Sequence, residues 1–233
     1  MTELFIQGVR IDWDTVEASS YLHKIEAIKG MSEVPFKRRI TFFVGENGSG
    51  KSTLLEAIAV AYGFNAEGGT VNYHFSTFDD VSPLARSLTL LKGYKRPKLG
   101  YFFRAETFFN VATVGLVEYR GKSYHDCSHG EGFLSFIQGF DRAGLYILDE
   151  PEAALSPQRQ LTLLKHVYES AKGGSQFIIA THSPILLGCP DASILSFEDG
   201  RVQECAYEET ASYFITKQFL CRKDMMLREL LEE

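Results

Sequence analysis

Cysteine is scarce in this chain of 233 residues. Cys127, Cys189, Cys205 and Cys221 stand far apart, with no Cys-x-x-Cys pair and no histidine at zinc-ligand spacing beside them. A disulfide scaffold and a structural zinc site are excluded, and reduced, mostly buried thiols in a cytoplasmic protein are expected. The seven prolines are scattered, so no linker divides the chain, and repeats and low-complexity tracts are missing as well. Long hydrophobic runs are also lacking. Residues 1–30 carry Asp12, Asp14 and Glu17 where a signal peptide would need an apolar run, and no stretch has the length of a membrane span. The expectation is a soluble protein, neither exported nor membrane-spanning. An excess of positive charge is missing too: Lys+Arg 24 against Asp+Glu 30 leaves −6. That balance removes the whole-surface basic field of a protein that grips nucleic acid without sequence preference, and leaves room only for a local patch.

What the chain does have is the apolar content of an ordinary globular protein, 45% hydrophobic with 23% charged residues, in a length that can bury a core without staples. One domain over 1–233 is expected. Short runs rich in β-branched and aromatic residues, bounded by Gly, Asp or Pro, read as strands: Leu4 to Ile11, Ile40 to Val44, Leu145 to Leu148, Phe177 to Ala180 and Ile194 to Phe197. Three of them are near-continuous in apolar character, the pattern of strands covered on both faces. Helical stretches at Ser52 to Tyr62 and Pro157 to Ala171 supply the cover, so the class is α/β with a mostly parallel sheet. Ser156 is placed to cap the second helix, with Pro157 where a missing N–H costs nothing. Residues 65–143 contain a smaller helical and loop insertion. Within it a short helix is expected over Leu84 to Leu91, followed by the basic cluster Lys92, Lys95, Arg96 and Lys98. That cluster reads either as a solvated loop or as a contact patch for a partner or for DNA.

The chemistry concentrates at two places. The strand Ile40 to Val44 runs into Gly45-Glu46-Asn47-Gly48-Ser49-Gly50-Lys51-Ser52-Thr53 and then into a helix. A triphosphate needs several backbone N–H groups converging on it, and glycines at 45, 48 and 50 let the chain curl tightly while the helix aims its positive end inward. Lys51 then falls on the β- and γ-oxygens and the Ser52 hydroxyl on Mg²⁺. The second place is Leu145-Tyr146-Ile147-Leu148-Asp149-Glu150-Pro151-Glu152, an apolar strand that delivers two carboxylates at its C-terminal end, where α/β folds bind ligands. Asp149 is read as the Mg²⁺ carboxylate opposite Ser52, and Glu150 as the group that polarises an attacking water.

Taken together these segments resemble the ABC-type ATPase family over nearly the whole chain. Gly45 to Ser52 looks like its Walker A, Leu145 to Glu150 its Walker B with the adjoining catalytic Glu, and Ala153-Ala154-Leu155-Ser156 its D-loop. Thr181-His182-Ser183-Pro184 looks like the segment of the switch histidine, and Cys127-Ser128-His129-Gly130-Glu131-Gly132 like a signature sequence with Glu where Gln is usual. The family's Q-loop glutamine has no counterpart: no Gln lies between Asn47 and Ser128. Arg104 or Glu106 stands in its place, in Tyr101-Phe102-Phe103-Arg104-Ala105-Glu106-Thr107. The variant set is most similar to stand-alone ABC-type ATPases whose heads are SMC- and RecF-like. The separation of Lys51 and Ser128 by 77 positions without sustained heptads excludes their coiled-coil arms.

The resemblance implies a P-loop NTPase that binds ATP and Mg²⁺ and hydrolyses ATP in a head-to-tail homodimer. Lys51, Glu150 and His182 would be catalytic, with Ser128 and Gly130 completing the partner's site. Its work would be a switch acting on an unidentified protein partner or on DNA. The rival is the nucleotide-binding subunit of an ABC transporter, which would need the missing glutamine. Arg38 and Arg39 read equally as nucleotide contacts or as a solvated strand edge.

Overall fold

A computed structural model describes residues 3–70, 82–105 and 143–231. In chain order the strands are β1 (Ile6–Ile11), β2 (Glu33–Pro35), β3 (Ile40–Val44), β4 (Gly69–Thr70), β5 (Leu88–Lys92), β6 (Leu99–Arg104), β7 (Gly144–Asp149), β8 (Gln176–Ala180), β9 (Ser193–Ser196) and β10 (Gln203–Cys205). The α-helices are α1 (Glu26–Lys29), α2 (Lys51–Tyr62), α3 (Leu84–Ser87), α4 (Pro157–Lys172), α5 (Pro184–Leu187), α6 (Ala211–Cys221) and α7 (Lys223–Leu231).

Among the described residues seven strands form the main sheet in the order β10-β9-β3-β8-β7-β6-β4. The run from β9 to β6 is parallel, and the edge strands β10 and β4 are antiparallel. All residues of β3, β7, β8 and β9 are buried, as near-continuous apolar strands require when both faces are covered. Alternation then sorts their side chains. Phe43, Phe102, Ile147 and Ile178 pack on one face with Leu54, Leu55 and Ile58 of α2. Phe42, Phe103, Leu148 and Ile179 pack on the other with Leu163 and Val167 of α4. The α/β class with a mostly parallel sheet, expected from the apolar runs, is the observed one.

A second sheet, β2-β1-β5, is antiparallel and lies over α2, its Ile6, Val9 and Ile11 sharing the first core. Gln176, fully buried at the start of β8, ties the two sheets. Its Oε1 accepts from the N–H groups of Phe5 and Ile6 at 2.8 and 2.9 Å, and its Nε2 donates to the Ile6 carbonyl at 2.7 Å. A buried amide with this many partners is satisfied and therefore tolerable in a core.

Two local expectations are corrected. The helix expected over Leu84 to Leu91 ends at Ser87, and Leu88–Lys92 is β5, paired with β1. The edge of β1 offers backbone partners that outweigh the helical preference of a short leucine-rich run, a tertiary override of local propensity. Ser156 occupies the N-cap position of α4 but makes no side-chain capping bond, and the Gln160 amide instead reaches back to the Leu155 carbonyl at 3.0 Å. Of the arginine pair, read from sequence in two ways, Arg39 donates to the Gly174 carbonyl at 2.7 Å just before β3, while Arg38 is exposed. The basic cluster is partly engaged within the chain. Lys95 pairs with Glu3, and the Lys92 ammonium sits 5.1 Å from the Tyr62 ring centroid, whereas Arg96 and Lys98 are exposed.

Candidate functional site

The phosphate loop lies between β3 and α2, at the C-terminal end of a strand inside the parallel run. Two glycines show why the loop needs them. Gly48 has φ +80 with open space around it, so conformation alone would strain a side chain there. Gly50 has φ +99, and a Cβ there would meet Ile25 and Ile28 side-chain atoms at 2.7 Å, so packing forbids one as well. Glu46, Asn47 and Gly48 are exposed, Ser49 and Thr53 half-buried, and Gly45 and Gly50 buried. The exposed arc of the loop is the side a ligand can reach.

Lys51 is only 4% exposed, and its ammonium donates to the carbonyls of Gly45 at 2.7 Å and Glu46 at 2.9 Å. The charge is therefore held folded onto the loop's own backbone, within the curl that a phosphate would enter. Burial lowers its pKa, an effect offset in part by the nearby carboxylates of Glu150, Asp149, Glu152 and Glu198.

The next residue reaches across the sheet. Ser52 Oγ donates to Asp149 Oδ1 at 3.0 Å, pairing the first turn of α2 with the end of β7. A hydroxyl and a carboxylate oxygen at this separation are hard ligands of the kind Mg²⁺ takes alongside phosphate oxygens and water, so the residues fit the metal that the resemblance implies. Lys51, Ser52 and Asp149, chosen from sequence, are thus brought together.

Glu150 leaves the strand in a left-handed backbone conformation, φ 48 and ψ 52, with its N–H bonded to the Ala180 carbonyl at 2.9 Å. Left-handed geometry is uncommon for a residue with a Cβ and costs free energy where it persists. Its effect is to turn Glu150 away from Asp149, towards the segment after β8. His182 Nε2 lies 3.9 Å from Glu150 Oε1, so these two expected residues also meet.

The histidine segment is fixed by its neighbours. Ser183 caps α5 by accepting the Leu186 N–H at 3.2 Å and donates to Gln160 Oε1 at 2.6 Å, while Glu152 Oε1 accepts the His182 N–H at 2.6 Å. Glu152 was not among the residues expected to act. Its one sequence signal is that it follows Glu150 by two positions, in a turn too irregular for spacing to show where a side chain goes.

Arg104, a candidate for the missing glutamine, ends β6 beside Asp149. The other candidate, Glu106, and the signature-like segment Cys127 to Gly132 with Ser128 and Gly130 lie outside the described residues. A cavity of about 300 Å³ opens against the loop, lined by Gly45, Glu46, His182, Glu198 and, from the start of α6, Thr210 and Ser212. That size is at the lower end of small-molecule sites. The sequence reading gave α6 no place near the loop.

Two family models match the chain: "AAA domain" over residues 21–80, and "AAA domain, putative AbiEii toxin, Type IV TA system" over residues 130–188. A "Putative ABC transporter ATP-binding protein" of Methanosarcina acetivorans is 26% identical over 201 residues, 70% of this chain and 70% of its own. The "Nickel import system ATP-binding protein NikD" of Staphylococcus aureus is 25% identical over 242 residues, covering 87% of this chain and 91% of its own. Among solved structures, an SmcHead bound to the C-winged helix domain of ScpA shares the fold with TM-score 0.50 and 16% identity, over 88% of this chain and 99% of that one. Together with the phosphate loop between β3 and α2, these matches support a likeness of the chain to the ABC-type ATPase family.

Proposed function

We propose that the chain is one ATPase domain that binds Mg·ATP, closes into a head-to-tail homodimer and hydrolyses the γ-phosphate, acting as a switch for a protein or DNA partner. The observation that carries this reading is the bond from Ser52 to Asp149, made across 97 sequence positions beside the buried Lys51. Such a convergence of hydroxyl, carboxylate and ammonium beside a glycine loop is what charge neutralisation of a triphosphate requires.

In this reading the loop N–H groups and Lys51 hold the β- and γ-oxygens, with the ammonium transferring its bonds from the Gly45 and Glu46 carbonyls to phosphate. Ser52 and Asp149 hold the metal. Bound Mg²⁺ supplies positive charge on the phosphate oxygens. Glu150, turned out of the strand, accepts a hydrogen bond from water and orients it in line with the γ-phosphorus, and His182 contacts the γ-phosphate. Attack forms the new P–O bond as the bond to the bridging oxygen breaks, leaving ADP and inorganic phosphate. Ser128 and Gly130 of a second copy complete the site.

The test is phosphate release by the wild-type chain together with its mass in solution with and without ATP, using Glu150→Gln to hold the nucleotide. ATP-dependent dimerisation with slow release supports the switch. Absence of any ATP binding would remove the reading.

The names of the two curated relatives favour a second reading, the ATP-binding subunit of a transporter. The absence of the coupling glutamine weighs against it, and among the described residues no helix is long and apolar enough to cross a membrane. Such a subunit would need a separate membrane partner, and co-purification with a membrane protein would decide for it.

A further inference from the structure

Arg104 ends β6, and its Cα is paired in register with that of Asp149 at the end of β7. Its Nη1 donates to Glu56 Oε2 at 2.7 Å and to the Ala66 carbonyl at 3.3 Å, while its Nε stands 3.9 Å from Asp149 Oδ2. The side chains of Arg104, Glu56 and Asp149 keep 20%, 16% and 9% of their exposure, so solvent screens these charges weakly. Glu56 belongs to α2, the helix that carries Lys51 and Ser52. The two oxygens of Asp149 therefore face different partners, Oδ1 the Ser52 hydroxyl and Oδ2 the guanidinium.

We propose that Arg104 is a resident counter-cation of Asp149 that makes entry of a divalent cation conditional on nucleotide. This deepens the ATPase reading and rests on it, since it takes Asp149 as the metal-side carboxylate. Asp149, with the Ser52 hydroxyl on its Oδ1, would attract a divalent cation even in the absence of nucleotide. A guanidinium 3.9 Å away opposes this, because its positive charge repels a second cation at short range in a poorly screened site. Glu56 and the Ala66 carbonyl hold it there, so it cannot simply swing aside. A triphosphate arriving on the loop adds negative oxygens, and the local balance then favours the metal. Arg104 is thus a positioning residue that acts through Asp149. A Glu56–Arg104 pair serving the fold alone would not need the third member, nor the placement of both strand ends in register.

The experiment measures MnCl₂ binding by electron paramagnetic resonance and MgCl₂ binding by calorimetry, both without nucleotide, on the full chain. ATP affinity with and without Mg²⁺ is measured alongside. The variants are Arg104→Gln, Arg104→Lys and Glu56→Gln/Arg104→Gln, and the double variant decides if the single one, which strands the partly buried Glu56 carboxylate, melts below the assay temperature. Expected is tighter Mn²⁺ binding without nucleotide in the glutamine variants, at least about tenfold or about 1.4 kcal/mol, and wild-type behaviour in Arg104→Lys. By reciprocity, the gain in ATP affinity on adding Mg²⁺ should shrink by the same factor in the glutamine variants. Equal metal affinity in wild type and all variants, with Mg·ATP still bound by wild type, overturns the counter-cation alone. Failure of the wild type to bind Mg·ATP at all would instead count against the ATPase reading.

Discussion

Glu152 Oε1 accepts the backbone N–H of His182 at 2.6 Å, so the turn that follows Glu150 is joined to the segment that carries the histidine. The carboxylate bonds to the main chain, which fixes where His182 begins while leaving its ring free to face Glu150.

Replacing Glu152 by Ala leaves a partly buried N–H without its acceptor, a loss of about 1–3 kcal/mol. The melting temperature should fall by about 2–10 °C on the scale of a domain this size, and turnover should fall with ATP affinity little changed. Glu152→Gln keeps an acceptor oxygen and should recover most of the stability. Thermal melts and phosphate release check both. Equal losses in the two variants would mean that the negative charge matters and the bond does not.

Lys51→Ala removes the buried ammonium from the loop and should weaken Mg·ATP binding at least about tenfold, about 1.4 kcal/mol, by calorimetry. The wild-type pH dependence follows from the lowered pKa of Lys51. Phosphate binding needs the charged form, so affinity should fall as pH rises through a value below the ordinary 10.5 of lysine. Glu150 is the strongest of the carboxylates that hold this pKa up, and Glu150→Gln should therefore move the loss of affinity to lower pH. For stability the sign is opposite. Between the folded and unfolded pKa values the unfolded chain binds more protons, so this group's contribution improves as pH rises across that window.

In the proposed mechanism Glu150→Gln separates binding from chemistry, because that mechanism has the side chain act on water and not on phosphate. Turnover should drop about a hundredfold or more with ATP still bound. Loss of both together would make Glu150 a structural or metal-holding residue.

The thiols of Cys189 and Cys205 are pushed up to about 11, chiefly by burial, and Cys221 is exposed. Since the thiolate is the nucleophile, iodoacetamide at neutral pH should label Cys221 well ahead of the other two. Peptide mass mapping reads the order, and labelling of Cys189 and Cys205 should rise only as pH approaches 11. Early modification of Cys189 in the native protein would contradict its burial in the core.

The sequence by itself determined the elements whose physics is local. Glycines at 45, 48 and 50 ahead of Lys51, between an apolar run and a helix, announce a phosphate loop because only that backbone can curl so tightly. The unbroken apolar character of Ile40 to Val44 and Phe177 to Ala180 announces strands covered on both faces, because no other arrangement hides every side chain. Tertiary structure decided what depends on distant partners. Leu88–Lys92 is a strand because β1 offers it an edge, and Gln176 is a core residue because β1 brings it three backbone partners. Arg104 meets Glu56 and Asp149 only once β6 lies beside β7. Glu152 finds the His182 amide because a left-handed Glu150 redirects the chain. A spacing pattern records which residues share a helix turn or a strand face, whereas these contacts join segments 30 to 171 positions apart, and only the packed sheet brings them within bonding distance.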